Sequence, residues 1–414
     1  MSTQTPKTLS LLAEFHHSGD HESAWRLPTA EPERISDYSY YRDLAVTAAE
    51  GLFDTLFFAD FHSFSPRFKR SVPWGFEPTS LLSAIAQAVP EIGIIATAST
   101  VYSDPHTLAR TFATLWEQTK GRVGWNIVTA GSEAAAASYG LDQNPEHADR
   151  YRAAHAFVEQ VLADWEADPW GFGISRANRP VTVQAGSSDD GREFAGRFAE
   201  LVFTAAPDVE AGQAFRRDVQ SRAVKYGRSP DSVNVAPGFL VVVGSTEEEA
   251  RRKRDELDAF VTPETLRSML TMWGLDHVDL DDTVGDLART TRNQAIKSRI
   301  PVLQRIVDQA PGPITFRELV RSLAGSRGHV NKTGTPEQVV DVMEEWYRRG
   351  ACDAFVIKFS HNPGGVRDFV DGVVPELQRR GLYRTEYGQD LTLHQRIGIT
   401  RPDVLGTPTE AATA

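Results

Sequence analysis

The feature that most constrains the fold is a repeated pairing: a short apolar run rich in β-branched and aromatic residues, then a stretch with helical spacing. The runs are "TLSLLAEF" (8–15), "DTLFFADF" (54–61), "IGIIATAS" (92–99), "RVGWNIVT" (122–129), "PVTVQAG" (180–186), "ELVFTA" (200–205), "NVAPGFLVVVG" (234–244) and "DAFVIKF" (353–359). Helical spacing covers 38–50, 77–88, 105–119, 146–165, 190–199, 208–226, 246–259 and 335–349. Strands that are apolar on both faces and alternate with helices predict a parallel sheet covered by helices. Eight such units match an α/β (β/α)₈ TIM barrel with insertions. A doubly wound open sheet would use the same pattern.

Two segments exceed what a barrel needs. Residues 260–333 hold helical pieces and the loop "GSRGHVNKTGTP", too long for an ordinary connection between the seventh and eighth strands. They are expected as an insertion over the barrel mouth. From about residue 382, "LYRTEYGQDLTLHQRIGITRPDV" reads as a C-terminal arm, and 406–414 as a frayed, disordered tail. A single domain over 1–405 is the expectation.

Composition narrows the partners. A net charge of −12 argues against nucleic acid, whose phosphates require clustered Lys and Arg. The basic run "RRKR" (251–254) follows three glutamates and reads as a solvated helix face. Cys352 is the only cysteine, so no internal disulfide can form, in keeping with a reducing cytosol. No secretory leader and no apolar run of about 18 residues is found, so a cytoplasmic protein without a membrane partner is expected.

In such a barrel, sites form at the C-terminal ends of the strands. That rule selects His16 and His17, Asp60 and His62, Thr97 and Ser99, Asn126 and Thr129, and Ser187 and Ser188. A buried amide at Asn126 must be paired with a neighbouring strand end or donate to a ligand. Thr97, on the adjacent strand at similar depth, can share that ligand. "QAGSSDDGREFAGRFA" (184–199) ends a strand and opens a helix, which suits an anion such as phosphate, although Ser, Asp and Gly occur in any such turn. His147 and Tyr151 lie four residues apart on one helical face, for binding or for packing. Phe61, His62, Phe64 and Trp74, with His16 and His17, are candidates for a substrate entrance. The remaining histidines stand singly, and no zinc or P-loop spacing occurs, so no metal is expected.

Taken in order, "SAWRLP" (23–28), "AAEGLFDTLFFAD" (48–60), "GIIATASTVYSDPHTLAR" (93–110), "GRVGWNIVT" (121–129), "HADRY" (147–151), "VQAGSSDDGREFA" (183–195), "GTPEQVVDVMEEW" (334–346) and "FVDGVVPELQRRGLYRTEY" (369–387) resemble the bacterial-luciferase superfamily. Within it, the resemblance is to the flavin-dependent monooxygenases of nitrilotriacetate, EDTA, dibenzothiophene sulfone and long-chain alkanes. It implies a (β/α)₈ barrel and a site for reduced FMN. Asp60, Thr97, Asn126, His147, Tyr151 and Ser188 fall on the matching positions, with Ser187 adjacent. Ser188, nearby backbone amides and Tyr151 would hold the phosphate, and Asn126 and Thr97 would lie against the flavin where O₂ reacts.

The implied chemistry is formation of a flavin peroxide adduct, at C4a or N5, followed by hydroxylation or C–N or C–S cleavage of a medium-sized organic substrate. FMNH₂ would come from a separate NAD(P)H-dependent flavin reductase, and a homodimer or higher homo-oligomer is expected. A deazaflavin-dependent dehydrogenase of the same superfamily, or a flavin-binding protein without turnover, would share much of this pattern; "WNIVT" and "HADRY" argue against the first. The sequence departs from many relatives in a short 166–179 connection, in Ser187, and in Asp189, whose carboxylate would oppose a phosphate unless it points away or caps the helix.

Overall fold

The structure is a computed structural model that describes residues 8–60, 75–129, 133–290 and 300–399. Among these, nine strands form one parallel sheet: β1 (Ser10–Glu14), β2 (Thr55–Phe58), β3 (Gly93–Ser99), β4 (Val123–Val128), β5 (Val181–Gln184), β6 (Leu201–Thr204), β7 (Asn234–Val243), β8 (Val330–Gly334) and β9 (Ala354–Phe359). The first six pair consecutively, β1 also pairs with β9, β9 with β7, and β7 with β6. That ring closes an eight-stranded barrel with helices outside it, as the eight runs predict, and excludes the open sheet.

The ninth strand corrects the sequence reading. Five residues of the expected loop "GSRGHVNKTGTP" form β8, which pairs with β7 from Phe239 to Val243. β6 holds the same edge of β7 only from Asn234 to Pro237. Beyond the short β6, the edge of this ten-residue strand would be bare, and β8 takes it up. Ahead of β8, the helices Pro263–Met272, Ile300–Gln309 and Phe316–Ala324 build a separate apolar cluster around Leu270, Trp273, Leu319 and Leu323.

The alternation along each strand decides which side chains enter the barrel. On β4, Val123, Trp125 and Ile127 belong to the layer between strands and helices. Trp125 packs there against Phe112, Phe157 and Trp165, and its Nε1–H donates to Ala98 O at 3.1 Å. The opposite parity sends Asn126 and Val128 inward. Leu12, Ile95, Val183, Leu201 and Val356 fill the lower interior by the same rule.

The C-terminal arm seals that lower end. Leu393, Ile397 and Ile399 join the interior cluster. Leu393 N–H donates to Gly121 O at 3.0 Å, and His394 Nε2 lies 3.0 Å from Glu200 Oε2. Glu200 is also held by a bidentate Arg179, both contacts at 2.9 Å. Among the described residues, the cavity of the barrel lies where the strands end.

Candidate active site

A cavity of about 460 Å³ occupies the C-terminal end of the barrel. Asp60, Thr97, Asn126 and Ser187, all singled out from the sequence, line it. Phe57, Phe203 and Val356 give it an apolar floor and walls, while Val302 and His329 reach it from the segment between β7 and β8. Gly238 leaves the room for His329, because a Cβ there would lie 2.4 Å from the imidazole Nδ1.

Thr97 and Asn126 stand at matched register positions on β3 and β4. Asn126 Nδ2–H donates to Thr97 Oγ1 at 2.9 Å, and the Thr97 hydroxyl donates to Phe58 O at 2.8 Å. The two alternatives for Asn126 are therefore not exclusive. Its amide nitrogen is tied to the neighbouring strand, whereas Oδ1 is buried without a hydrogen-bond partner. The unsatisfied oxygen adds an acceptor to the donor expected from the sequence, in a residue only 3% exposed. Thr97 holds Asn126 in place, its hydroxyl hydrogen already committed.

After β5, the chain turns through Gly186, Ser187 and Ser188 into the helix Asp189–Phe198. Ser188, not Asp189, is the N-cap: its Oγ accepts the Gly191 N–H at 3.1 Å. The Asp189 carboxylate is drawn off by Arg222, with Nη2 at 2.6 Å, and that pairing holds its pKa below the usual range. Tyr151, nearly buried, places its hydroxyl against this turn; a Cβ on Gly186 or Gly191 would come within 3.0 or 2.9 Å of it. His147 stacks edge-on to Tyr151 at 5.0 Å and faces Asp190 at 3.3 Å. The first backbone N–H groups of this helix, the serine hydroxyls and the Tyr151 hydroxyl are groups that could hold an anion.

The histidines of β1 behave differently from the expectation. His16 is buried with its Nε2 3.1 Å from Glu14 Oε1 and 3.7 Å from Asp20 Oδ1, and it is not among the residues lining the cavity. His17 accepts the Ser18 N–H at 2.8 Å and borders a small apolar hollow with Phe15, Tyr41 and Phe76. Phe61, His62, Phe64 and Trp74 lie outside the described residues, as do positions 406–414.

Two residues of the cavity, Glu14 and Lys358, escaped the sequence reading although both lie in quoted strands. They are matched in register on β1 and β9, and their side chains form a buried ion pair. Lys358 Nζ also lies 3.3 Å from Asp20 Oδ1. Burial alone would raise the pKa of Glu14, but Lys358 and His16 hold it well below the ordinary range. Burial would lower that of Lys358, and Asp20 and Glu14 raise it instead. Each group thus favours the charged form of the other. Glu14, His16 and Asp20 also bring potential metal-ligand atoms within 4.8 Å of one another, with the lysine ammonium serving as counter-cation to the two carboxylates. The sequence signal for them is a charged residue at an inward parity in "LLAEF" and "VIKF", of the same kind as Asn126 in its strand.

A barrel with a partly apolar cavity where its strands end, and a buried amide oxygen without a partner on the cavity wall, has the layout of an enzyme site for an organic molecule. The model of the luciferase-like monooxygenase family matches residues 9–353. The chain is 36% identical to N-acetyl-S-(2-succino)cysteine monooxygenase of Bacillus subtilis (strain 168), over 97% of this chain and 98% of that one. It is 35% identical to nitrilotriacetate monooxygenase component A of Aminobacter aminovorans, over 96% and 97%. A solved structure of riboflavin lyase with modified FMN and riboflavin superposes with a TM-score of 0.80 at 25% identity, covering 96% of each chain. The protein belongs to the luciferase-like monooxygenase family and is a flavin-dependent monooxygenase. Among the described residues, no helix is long and apolar enough to cross a membrane.

Proposed function

We propose that the protein is the oxygenating component of a two-component system: it takes reduced FMN from a separate NAD(P)H-dependent flavin reductase and oxygenates a medium-sized organic substrate. The observation that carries this reading is the unpartnered Asn126 Oδ1 on the wall of a cavity whose rim is the 186–191 turn. A buried amide oxygen without a donor is costly, and a bound ring N–H would satisfy it. Bound reduced FMN would supply the electrons that activate O₂.

Ser187, Ser188, Tyr151 and the first amides of the helix Asp189–Phe198 would hold the phosphate, with His147 at the outer edge. Arg222 assists by removing the Asp189 charge from the cradle. Asn126, fixed by Thr97, would orient the ring, and Asp60 would contact it from β2. The apolar walls would exclude water, which otherwise diverts activated oxygen to hydrogen peroxide. In this reading, residues 1–405 form a single domain in which 260–333 covers the mouth. Support comes from Val302 and His329, which line the cavity. The name of the Aminobacter relative, a "component A", supports the division of labour with a reductase.

The test is NADH oxidation with a flavin reductase and FMN, scored for substrate loss against peroxide release. Reduced FMN should support product formation and reduced deazaflavin should not. Turnover with deazaflavin alone would overturn the assignment.

A further inference from the structure

The inference rests on that reading and starts from the Glu14–Lys358 pair, a charged feature on the cavity lining. The two side chains line the same wall of the cavity. Of the three ammonium hydrogens on Lys358, one goes to Glu14 and one to Asp20, which leaves a third. Each oxygen of Glu14 accepts one bond, Oε1 from His16 and Oε2 from Lys358, and each has a second acceptor site. The wall thus presents a donor and an acceptor side by side. Phe57, in register with Glu14 on β2, and Val356, two residues before Lys358, make its surroundings apolar.

We infer that this pair selects a neutral carboxamide on an otherwise apolar substrate, with the carbonyl accepting from Lys358 and the amide N–H donating to Glu14. A carboxylate offers acceptors only and would bring a third anion to an ammonium already shared by Glu14 and Asp20. An amine offers donors only and would set its charge against Lys358. An amide satisfies both groups and adds no charge to a buried site, where unpaired charge is most costly. Specificity of this kind works as much by rejecting the wrong ligand as by holding the right one.

The full chain, with and without FMN, is titrated by ligand-observed NMR with phenylacetamide, phenylacetate and phenethylamine, which share one apolar body. The amide should bind at least about tenfold more tightly than either charged probe, a modest factor for a site whose polar groups would otherwise be left unpaired. Glu14→Gln, which removes the anion and keeps an acceptor, should bring phenylacetate to within about threefold of the amide. Lys358→Met alone strands a buried carboxylate and can unfold the chain, so Glu14→Gln/Lys358→Met is the control that removes both charges together. In that double variant the discrimination should vanish while the thermal transition persists. Phenylacetate or phenethylamine binding the unaltered chain as tightly as the amide, no binding of the amide, or a preference that survives in the double variant overturns the inference. FMN binding is read in the same samples. Its absence beside an intact amide preference removes the cofactor reading and leaves this one standing.

Discussion

Thr97 and Asn126 face each other across β3 and β4 so that one hydroxyl completes a relay: Asn126 Nδ2–H to Thr97 Oγ1 at 2.9 Å, and Thr97 O–H to Phe58 O at 2.8 Å. The relay fixes which end of the amide faces the cavity, since the nitrogen has a partner and the oxygen has none. Asn126→Ala should change FMN affinity by no more than about tenfold, the worth of one hydrogen bond, yet lower the ratio of product to peroxide. Thr97→Val should act in the same direction by freeing the amide to rotate. Product and peroxide yields from single-turnover reactions check both, and an unchanged ratio in Asn126→Ala takes this residue out of oxygen handling.

The proposed anion cradle makes a separate prediction. A Cβ at position 186 would meet Gly191 Cα at 2.9 Å and the Tyr151 hydroxyl at 3.0 Å, so Gly186→Ala must open the turn. FMN affinity should fall by about tenfold or more, since several charge-assisted contacts share that geometry. Ser188→Ala should weaken FMN as well and also cost about 1 kcal/mol of stability, because the same hydroxyl caps the helix. Fluorescence titration of FMN together with thermal unfolding separates the two effects; flavin affinity unaltered in both variants would remove the phosphate assignment.

At the opposite end of the barrel, burial would raise the pKa of Glu200, but Arg179 and His394 hold it far below the ordinary range. A carboxylate with a depressed folded-state pKa stabilises the fold above its unfolded pKa, and that contribution is lost as the pH falls toward the folded value. Acid destabilisation should therefore begin below about pH 4.3, the unfolded value for Glu. Glu200→Gln should cost about 3 kcal/mol at neutral pH by stranding a buried guanidinium, and should flatten the pH dependence below that point. Urea unfolding of both proteins at pH 7 and pH 4 measures it. Equal stabilities at pH 7 would mean that Glu200 adds nothing to what the arm's apolar contacts and its other hydrogen bonds already supply.

His329 reaches the cavity only because Gly238 has no side chain. Gly238→Ala should push the imidazole aside and lower kcat/KM by about tenfold, as expected when a residue lining the site loses its position. The obstructing atoms belong to a side chain that can turn, so the thermal transition should move by only a few degrees. Parallel kinetics and melting curves decide it, and full activity would show that the position of His329 is immaterial.

Local pattern determined a good deal of this protein. The alternation of apolar runs with helical stretches is enough for a parallel barrel, because strands buried on both faces need helices outside and a filled interior. Asn126 was legible for a related reason, as a polar residue at an inward position of such a strand. Glu14 and Lys358 occupy inward positions of the same kind, but each looks like an isolated charge until its partner is known. They lie 344 positions apart, and only closure of β9 onto β1 brings them together. Tertiary structure likewise decided that His16 backs Glu14 instead of lining the cavity, that Arg222 draws Asp189 away from the cradle, and that part of a loop becomes β8. Each depends on a neighbour distant in sequence. Spacing along one chain fixes which face a side chain takes, and the packing of one segment on another fixes what that face meets.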